Sequence, residues 1–157
     1  MPSLPSVGAA APTLAGPTDE GRFDLGEHRG HPVVVYFYPK DLTPGCTTEA
    51  QDFRDRIPHF EAEGAVVVGV SKDSAARHAK FRQKESLPFA LLSDADGVVC
   101  EDWGVWAEKK LYGKVFDGIV RSTFLIDGDG KVARWWSPVK VKGHVDEVLG
   151  ALRALPR

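Results

Sequence analysis

Cys46 stands in the run Tyr36-Phe37-Tyr38-Pro39-Lys40-Asp41-Leu42-Thr43-Pro44-Gly45-Cys46-Thr47-Thr48-Glu49 and is one of two cysteines in 157 residues. Proline is favoured at the first helical position, where no N–H is needed, and threonine is a preferred residue just before it. The spacing predicts a helix capped by Thr43, opened by Pro44 and carrying Cys46 as its third residue. Helix starts concentrate unpaired N–H groups and positive dipole, which favour the thiolate, the nucleophilic form of cysteine. With Thr43 as cap, its hydroxyl would take the Cys46 N–H and lie close to the sulfur. The same residues also fit a plain helix start, with Cys46 as a small buried hydrophobe.

The elements that must position this cysteine follow from periodicity. Val33 to Tyr38 is an uninterrupted β-branched and aromatic run, the pattern of a central strand buried on both faces. From Pro44, the residues Ala50, Phe53, Ile57 and Phe60 recur at helical steps, and Pro58 should kink that helix or end its first part. Ala65 to Val70 reads as a second strand, Ser74 to Glu85 as a helix stopped by Pro88, and Phe89 to Leu92 as a third strand. The turn Asp94-Ala95-Asp96-Gly97 closes that strand, and a short helix follows through Cys100 to Trp103. Strands at Arg121–Ile126 and Val132–Trp136 flank the hairpin signal Asp127-Gly128-Asp129-Gly130. A last helix places Val145, Val148, Leu149, Leu152 and Leu155 on one stripe. Alternating strands and helices with a closing hairpin predict an α/β fold, a mixed central sheet covered by helices on both faces. Function in such sheets gathers at strand ends and the helix starts that follow them, where Cys46 sits.

Bulk properties narrow the classes. Hydrophobic residues at 43% and charged ones at 27% are ordinary for one globular domain, and a net charge of -2 argues against nucleic acid or an anionic membrane as partner. No apolar run approaches the length of a membrane span. The start MPSLPSVGAAAPTLAG lacks a basic region and holds Pro2, Pro5 and Pro12, so it makes a poor signal peptide. Two cysteines form no disulfide scaffold, which fits a reducing cytoplasm. His28, His31, His59, His78 and His144 are scattered, so no metal site is expected, and no histidine is tied by sequence context to Cys46.

The pattern Pro39-x-x-x-Thr43-x-x-Cys46 matches the peroxiredoxin motif Pro-x-x-x-Thr/Ser-x-x-Cys, and its flanks resemble the bacterioferritin comigratory protein (PrxQ) branch of that family. Ordered blocks extend the resemblance almost end to end. They are Ala11-Pro12, Phe53-Arg54-Asp55, Val70-Ser71-Lys72-Asp73, Leu91-Leu92-Ser93-Asp94, Trp103-Gly104-Val105-Trp106, Arg121 to Asp127 and Gly143-His144-Val145. The resemblance implies a thioredoxin-like fold, with residues 1–157 as a single domain and 1–20 as an extended lead-in. It implies thiol-dependent reduction of hydrogen peroxide, and of small organic hydroperoxides, without a cofactor. Cys46 would be the peroxidatic nucleophile, becoming a sulfenic acid. Thr43 and nearby N–H groups would hold the peroxide oxygens, and Arg121 would stabilise the thiolate and the leaving oxygen. Pro39 would shape the loop and keep bulk water from the sulfur. The partners implied are the peroxide and an external reductant such as thioredoxin, glutaredoxin or a small thiol, acting on a cytoplasmic monomer.

The pattern breaks at the second redox cysteine. In many relatives it lies five residues after the first, where this chain has Gln51; in others it lies on the helix corresponding to Ser74–Glu85, which has none. Cys100 is left, expected as a small core residue, with a resolving role as the alternative. The default is therefore a one-cysteine cycle recycled by an outside thiol, against a two-cysteine cycle through Cys100 or a peroxide sensor that does not turn over. A thioredoxin-type disulfide reductase is disfavoured because Cys46-Thr47-Thr48-Glu49 lacks Cys-x-x-Cys. Glu49 fits either an arginine-orienting carboxylate or a solvated first-turn acid. Trp103 and Trp106 are expected in the core, Trp135 and Trp136 on opposite faces of their strand, and His144 at the cap of the last helix.

Overall fold

The computed structural model of the chain describes residues 3–156. Strands β1 (Ala15–Thr18) and β2 (Gly21–Asp24) form an antiparallel hairpin, so part of the expected lead-in is built into structure. Then come β3 (Val33–Phe37), α1 (Pro44–Ala62), β4 (Val66–Ser71), α2 (Ala75–Glu85), β5 (Ala90–Ser93) and α3 (Val98–Asp102). A second hairpin of β6 (Trp106–Leu111) and β7 (Lys114–Ile119) precedes β8 (Ser122–Ile126), β9 (Val132–Trp136) and α4 (His144–Arg153).

The central sheet has the order β5-β4-β3-β8-β9. β5, β4 and β3 run parallel through helical crossovers, and β8 and β9 join antiparallel. This is the mixed sheet that the alternation predicts. Arg121 immediately precedes β8, a strand inside the sheet beside β3, with β9 outside it.

Every residue of β3 is buried, because the strand feeds two cores. Val34, Tyr36 and Tyr38 face α1, α2 and α4, packing with Phe53, Ile57, Phe60, Phe81, Val148 and Leu152. Val33, Val35 and Phe37 face the other way, with Leu14, Phe23, Cys100, Trp103 and Phe124. Three helices thus cover one face, while the short α3 and the β1–β2 hairpin cover the other. Trp136 packs on the first core and Trp135 on the second, as strand alternation requires. Trp103 is fully buried, whereas Trp106 is only partly so and takes the Lys72 ammonium over its ring, 4.3 Å from the centroid.

Two local expectations change. α1 does not end at Pro58; it runs on to Ala62. Pro58 lies on the exposed side, where water can satisfy the carbonyl its missing N–H leaves free, while Ile57 and Phe60 anchor the helix in the core. The cap of α4 is Gly143 at φ +75, not His144, which is the first helical residue and turns inward. Among the described residues, no helix is long and apolar enough to cross a membrane.

Candidate active site

β3 leaves the sheet at Tyr38, whose N–H still reaches the Val70 carbonyl of β4 at 3.1 Å, and residues 39–43 turn the chain into α1. Thr43 is the N-cap with extended backbone, and Pro44 opens the helix. The Thr47 N–H bonds the Thr43 carbonyl at 2.8 Å, so the N–H groups of Gly45 and Cys46 precede the helical ladder. The Thr43 hydroxyl does not cap the helix, contrary to expectation. It donates to the Lys40 carbonyl at 2.8 Å, a local acceptor that the tight loop brings within reach. Its oxygen is thereby oriented with acceptor capacity to spare. Pro39, partly buried, starts this loop.

Cys46 points into the core and is 2% exposed. Arg121 meets it there: Nη2 donates to Cys46 Sγ at 3.3 Å, and Nη1 donates to Glu49 Oε1 at 2.6 Å. Cys46 and Glu49, three residues apart, share one face of α1, and the guanidinium fork spans both. The sheet sets this up, because Phe37 at the end of β3 pairs with Ser122, the neighbour of Arg121. Gly45 leaves room for the guanidinium, since a methyl group there would sit 3.3 Å from Nη2.

Glu49 is fully buried, which decides between its two sequence readings in favour of the arginine partner. Burial pushes its carboxyl up to about 7, against the downward pull of the Arg121 charge. Its second oxygen, Oε2, is buried without a partner. Lys109, on β6, is a second cation that sequence reasoning missed. Its Nζ donates to the Ile119 carbonyl at 2.8 Å, and burial lowers its pKa, with the charge of Arg121 acting in the same direction and that of Cys46 against it. The missing signal was the β6–β7 hairpin itself, which brings Lys109 back toward Arg121.

Cys100 lies elsewhere. It is fully buried in α3 and belongs to the second core, so the two free cysteines occupy opposite sides of the sheet. Burial, reinforced by Asp94, pushes the Cys100 thiol up and disfavours its thiolate. The Asp94 carboxylate accepts the N–H groups of Val99 and Cys100, tying down the start of α3. At the other position of interest, the Gln51 amide donates to Glu85 at 2.7 Å, stapling α1 to α2. His144 Nε2 lies 2.8 Å from Thr123 Oγ1, and burial lowers its pKa to about 4.

Comparison with known proteins gives this geometry its family. The AhpC/TSA family model matches residues 7–135. The chain is 49% identical over 148 residues to Peroxiredoxin Bcp of Bacillus subtilis, covering 94% of each. A structure of the Xanthomonas campestris bacterioferritin comigratory protein, studied for alkyl peroxide reduction, superposes with a TM-score of 0.83 at 46% identity, covering 92% of this chain and 90% of that one. A cysteine-to-serine mutant of Xylella fastidiosa PrxQ gives a TM-score of 0.88 at 37% identity, covering 97% and 98%. These neighbours share the thioredoxin fold of peroxiredoxins. The motif around Cys46, the mixed sheet and these matches along nearly the whole chain agree: the protein belongs to the AhpC/TSA family, in its Bcp/PrxQ branch, and is a thiol peroxidase of the peroxiredoxin type.

Proposed function

We propose that Cys46 is the peroxidatic nucleophile and that Arg121, Thr43 and Pro39 serve its attack on hydrogen peroxide and on small organic hydroperoxides. The observation that carries this reading is the Arg121 contact with the Cys46 sulfur at 3.3 Å, beside helix-start N–H groups that have no intrahelical acceptor. The thiolate attacks one peroxide oxygen in line, an S–O bond forms, and the O–O bond breaks. The leaving oxygen takes up a proton and departs as water or an alcohol, and Cys46 becomes a sulfenic acid. Negative charge moves from sulfur to the leaving oxygen, so donors fixed around the line of attack favour the transition state. Arg121 supplies one such donor, Nη2, with permanent charge, while Nη1 is held by Glu49. The Thr43 oxygen can accept the peroxide O–H, and Pro39 limits water at the loop. The Xanthomonas campestris relative, studied for alkyl peroxide reduction, supports organic hydroperoxides as substrates here as well.

The second half of the cycle is a one-cysteine path. An external thiol attacks the sulfenic sulfur, releases water and forms a mixed disulfide; a second thiol then frees Cys46 and leaves as the disulfide partner. What supports this is the placement of Cys100 behind the sheet and the absence of cysteine at position 51 and in α2. A Cys46–Cys100 bond would require the sulfurs to meet through the sheet, hence extensive local unfolding. Cys46, Thr43, Glu49 and Arg121 all come from one chain, so a monomer is sufficient for the chemistry.

The test is intact-mass and non-reducing peptide analysis after one equivalent of peroxide, alongside turnover with a small thiol. One added oxygen on Cys46, with turnover lost in Cys46→Ser and kept in Cys100→Ser, is the expected result. A Cys46–Cys100 link with loss of two hydrogens overturns the one-cysteine path. Turnover persisting in Cys46→Ser overturns the site assignment. Oxidation of Cys46 without recycling would identify a sensor instead.

A further inference from the structure

Behind the Cys46 loop lies a buried polar network that the reaction steps do not use. Asp41, inside the loop, and His78, on α2, are both fully buried. His78 Nδ1 lies 2.6 Å from Asp41 Oδ2, and the Tyr38 hydroxyl donates to Asp41 Oδ1 at 2.5 Å. His78 Nε2 lies 3.1 Å from the Leu92 carbonyl of β5. The Asp41 backbone is held as well. Its N–H donates to Asp73 Oδ2 at 2.8 Å, and its carbonyl accepts from Arg77 Nη2 at 3.2 Å. Asp73 is fixed in turn by the Ser71 hydroxyl at 2.7 Å and by Arg77 Nε at 3.1 Å.

Proton accounting makes the central contact specific. The Leu92 carbonyl can only accept, so His78 Nε2 carries a proton. Two facing lone pairs at 2.6 Å would repel, so a second proton must lie between Nδ1 and Oδ2. Burial, the largest influence on Tyr38, keeps its phenol protonated and therefore a donor to the same carboxyl. Asp41 is consequently grasped from Tyr38 just after β3, from the turn before α2 and from α2 itself. The next residue, Leu42, has φ +64, a left-handed backbone that a branched residue holds only when its surroundings impose it. Thr43 and Cys46 follow within one helical turn.

We propose that Asp41 and His78 are positioning residues for the peroxidase reaction: their buried contact latches the Cys46 loop to α2 and holds Thr43 and the helix-start N–H groups in attack geometry. This rests on Cys46 being the nucleophile. A pair that serves only as a core staple would affect stability alone. The latch also affects the rate at which the folded protein is oxidised.

The experiment compares His78→Leu, Asp41→Ala and the double variant by melting temperature and by the single-turnover rate of Cys46 oxidation by hydrogen peroxide. Each single change strands the other member of the pair, whereas the double change removes both and leaves only the Tyr38 hydroxyl and the Leu92 carbonyl without these partners, so melting temperature should recover in part in the double. The latch predicts that oxidation of the folded double variant nevertheless stays about tenfold or more below wild type, the scale set by small misplacements of reacting groups. A wild-type rate in the double variant overturns it. His78→Gln, which keeps one donor, covers the case in which the double does not fold. It should oxidise more slowly and exchange the Leu42 to Cys46 amides faster than wild type, and wild-type behaviour on both counts overturns the latch. Cys46→Ser run in parallel separates the two failures. Turnover in that variant removes the nucleophile assignment, whereas an inactive Cys46→Ser beside fully active latch variants removes the latch alone.

Discussion

Arg121 offers two donors at a fixed spacing, and both are in use, one on Cys46 Sγ and one on Glu49 Oε1. Lysine would keep the charge but could not span both partners from one planar group. Arg121→Lys is therefore expected to slow Cys46 oxidation about 10²–10³-fold, the loss seen when one transition-state donor is removed. Stopped-flow oxidation under single-turnover conditions reads this directly, and a rate within a few-fold of wild type would show that charge alone suffices. Glu49 cannot be understood from its position three residues past the cysteine. A first-turn carboxylate is usually solvated, and only the approach of Arg121, 72 residues away in sequence, makes its burial tolerable.

The elements show where local pattern carries and where it does not. Phe53 lies on the predicted apolar stripe of α1 and stacks on Tyr36 of β3, with ring centroids 4.6 Å apart. Phe53→Ala should cost about 3–5 kcal/mol in chemical denaturation, the usual range for emptying a packed aromatic site. A cost below about 1 kcal/mol would mean that the helix repacks and does not hold the site through this contact. α3 carries a second prediction. Cys100→Ser should retain peroxide turnover with an external thiol, yet lower stability by roughly 1–3 kcal/mol because a hydroxyl replaces a buried thiol. Unchanged stability with lost turnover would reverse the assignment. β3, α1 and α4 were legible because burial there follows a simple period. The β6–β7 hairpin was not, because Glu108, Lys110, Leu111, Val115 and Phe116 are all exposed and leave no in–out alternation to read. Its turn is marked only by Tyr112 and Gly113, both at positive φ.

For the whole molecule, two buried groups set opposing dependences on pH. The Glu49 carboxyl titrates at about 7 in the folded protein against 4.5 ordinarily, so between these values the folded state holds a proton that the unfolded chain has released. Its contribution to stability is complete below pH 4.5 and is lost as pH rises through about 7. His144 titrates at about 4 against 6.5, so its contribution is complete above pH 6.5 and is lost as pH falls toward 4. The slopes oppose each other between pH 4.5 and 6.5. Glu49→Gln removes one of them, and its stability should rise with pH across that window more steeply than wild type. Denaturation midpoints across the window check this, and parallel profiles for the two proteins would mean that Glu49 titrates normally.

The sequence by itself determined the candidate nucleophile Cys46, the loop and helix start that carry it, the mixed α/β architecture and the family. Each of these is written in contiguous residues or in a short period. Only the tertiary structure decided which groups meet the sulfur and which do not. It brought Arg121 and Glu49 together at Cys46, clasped Asp41 with His78, and put Cys100 behind the sheet. Those outcomes depend on strand order and on burial, which are properties of the closed chain and have no local signature.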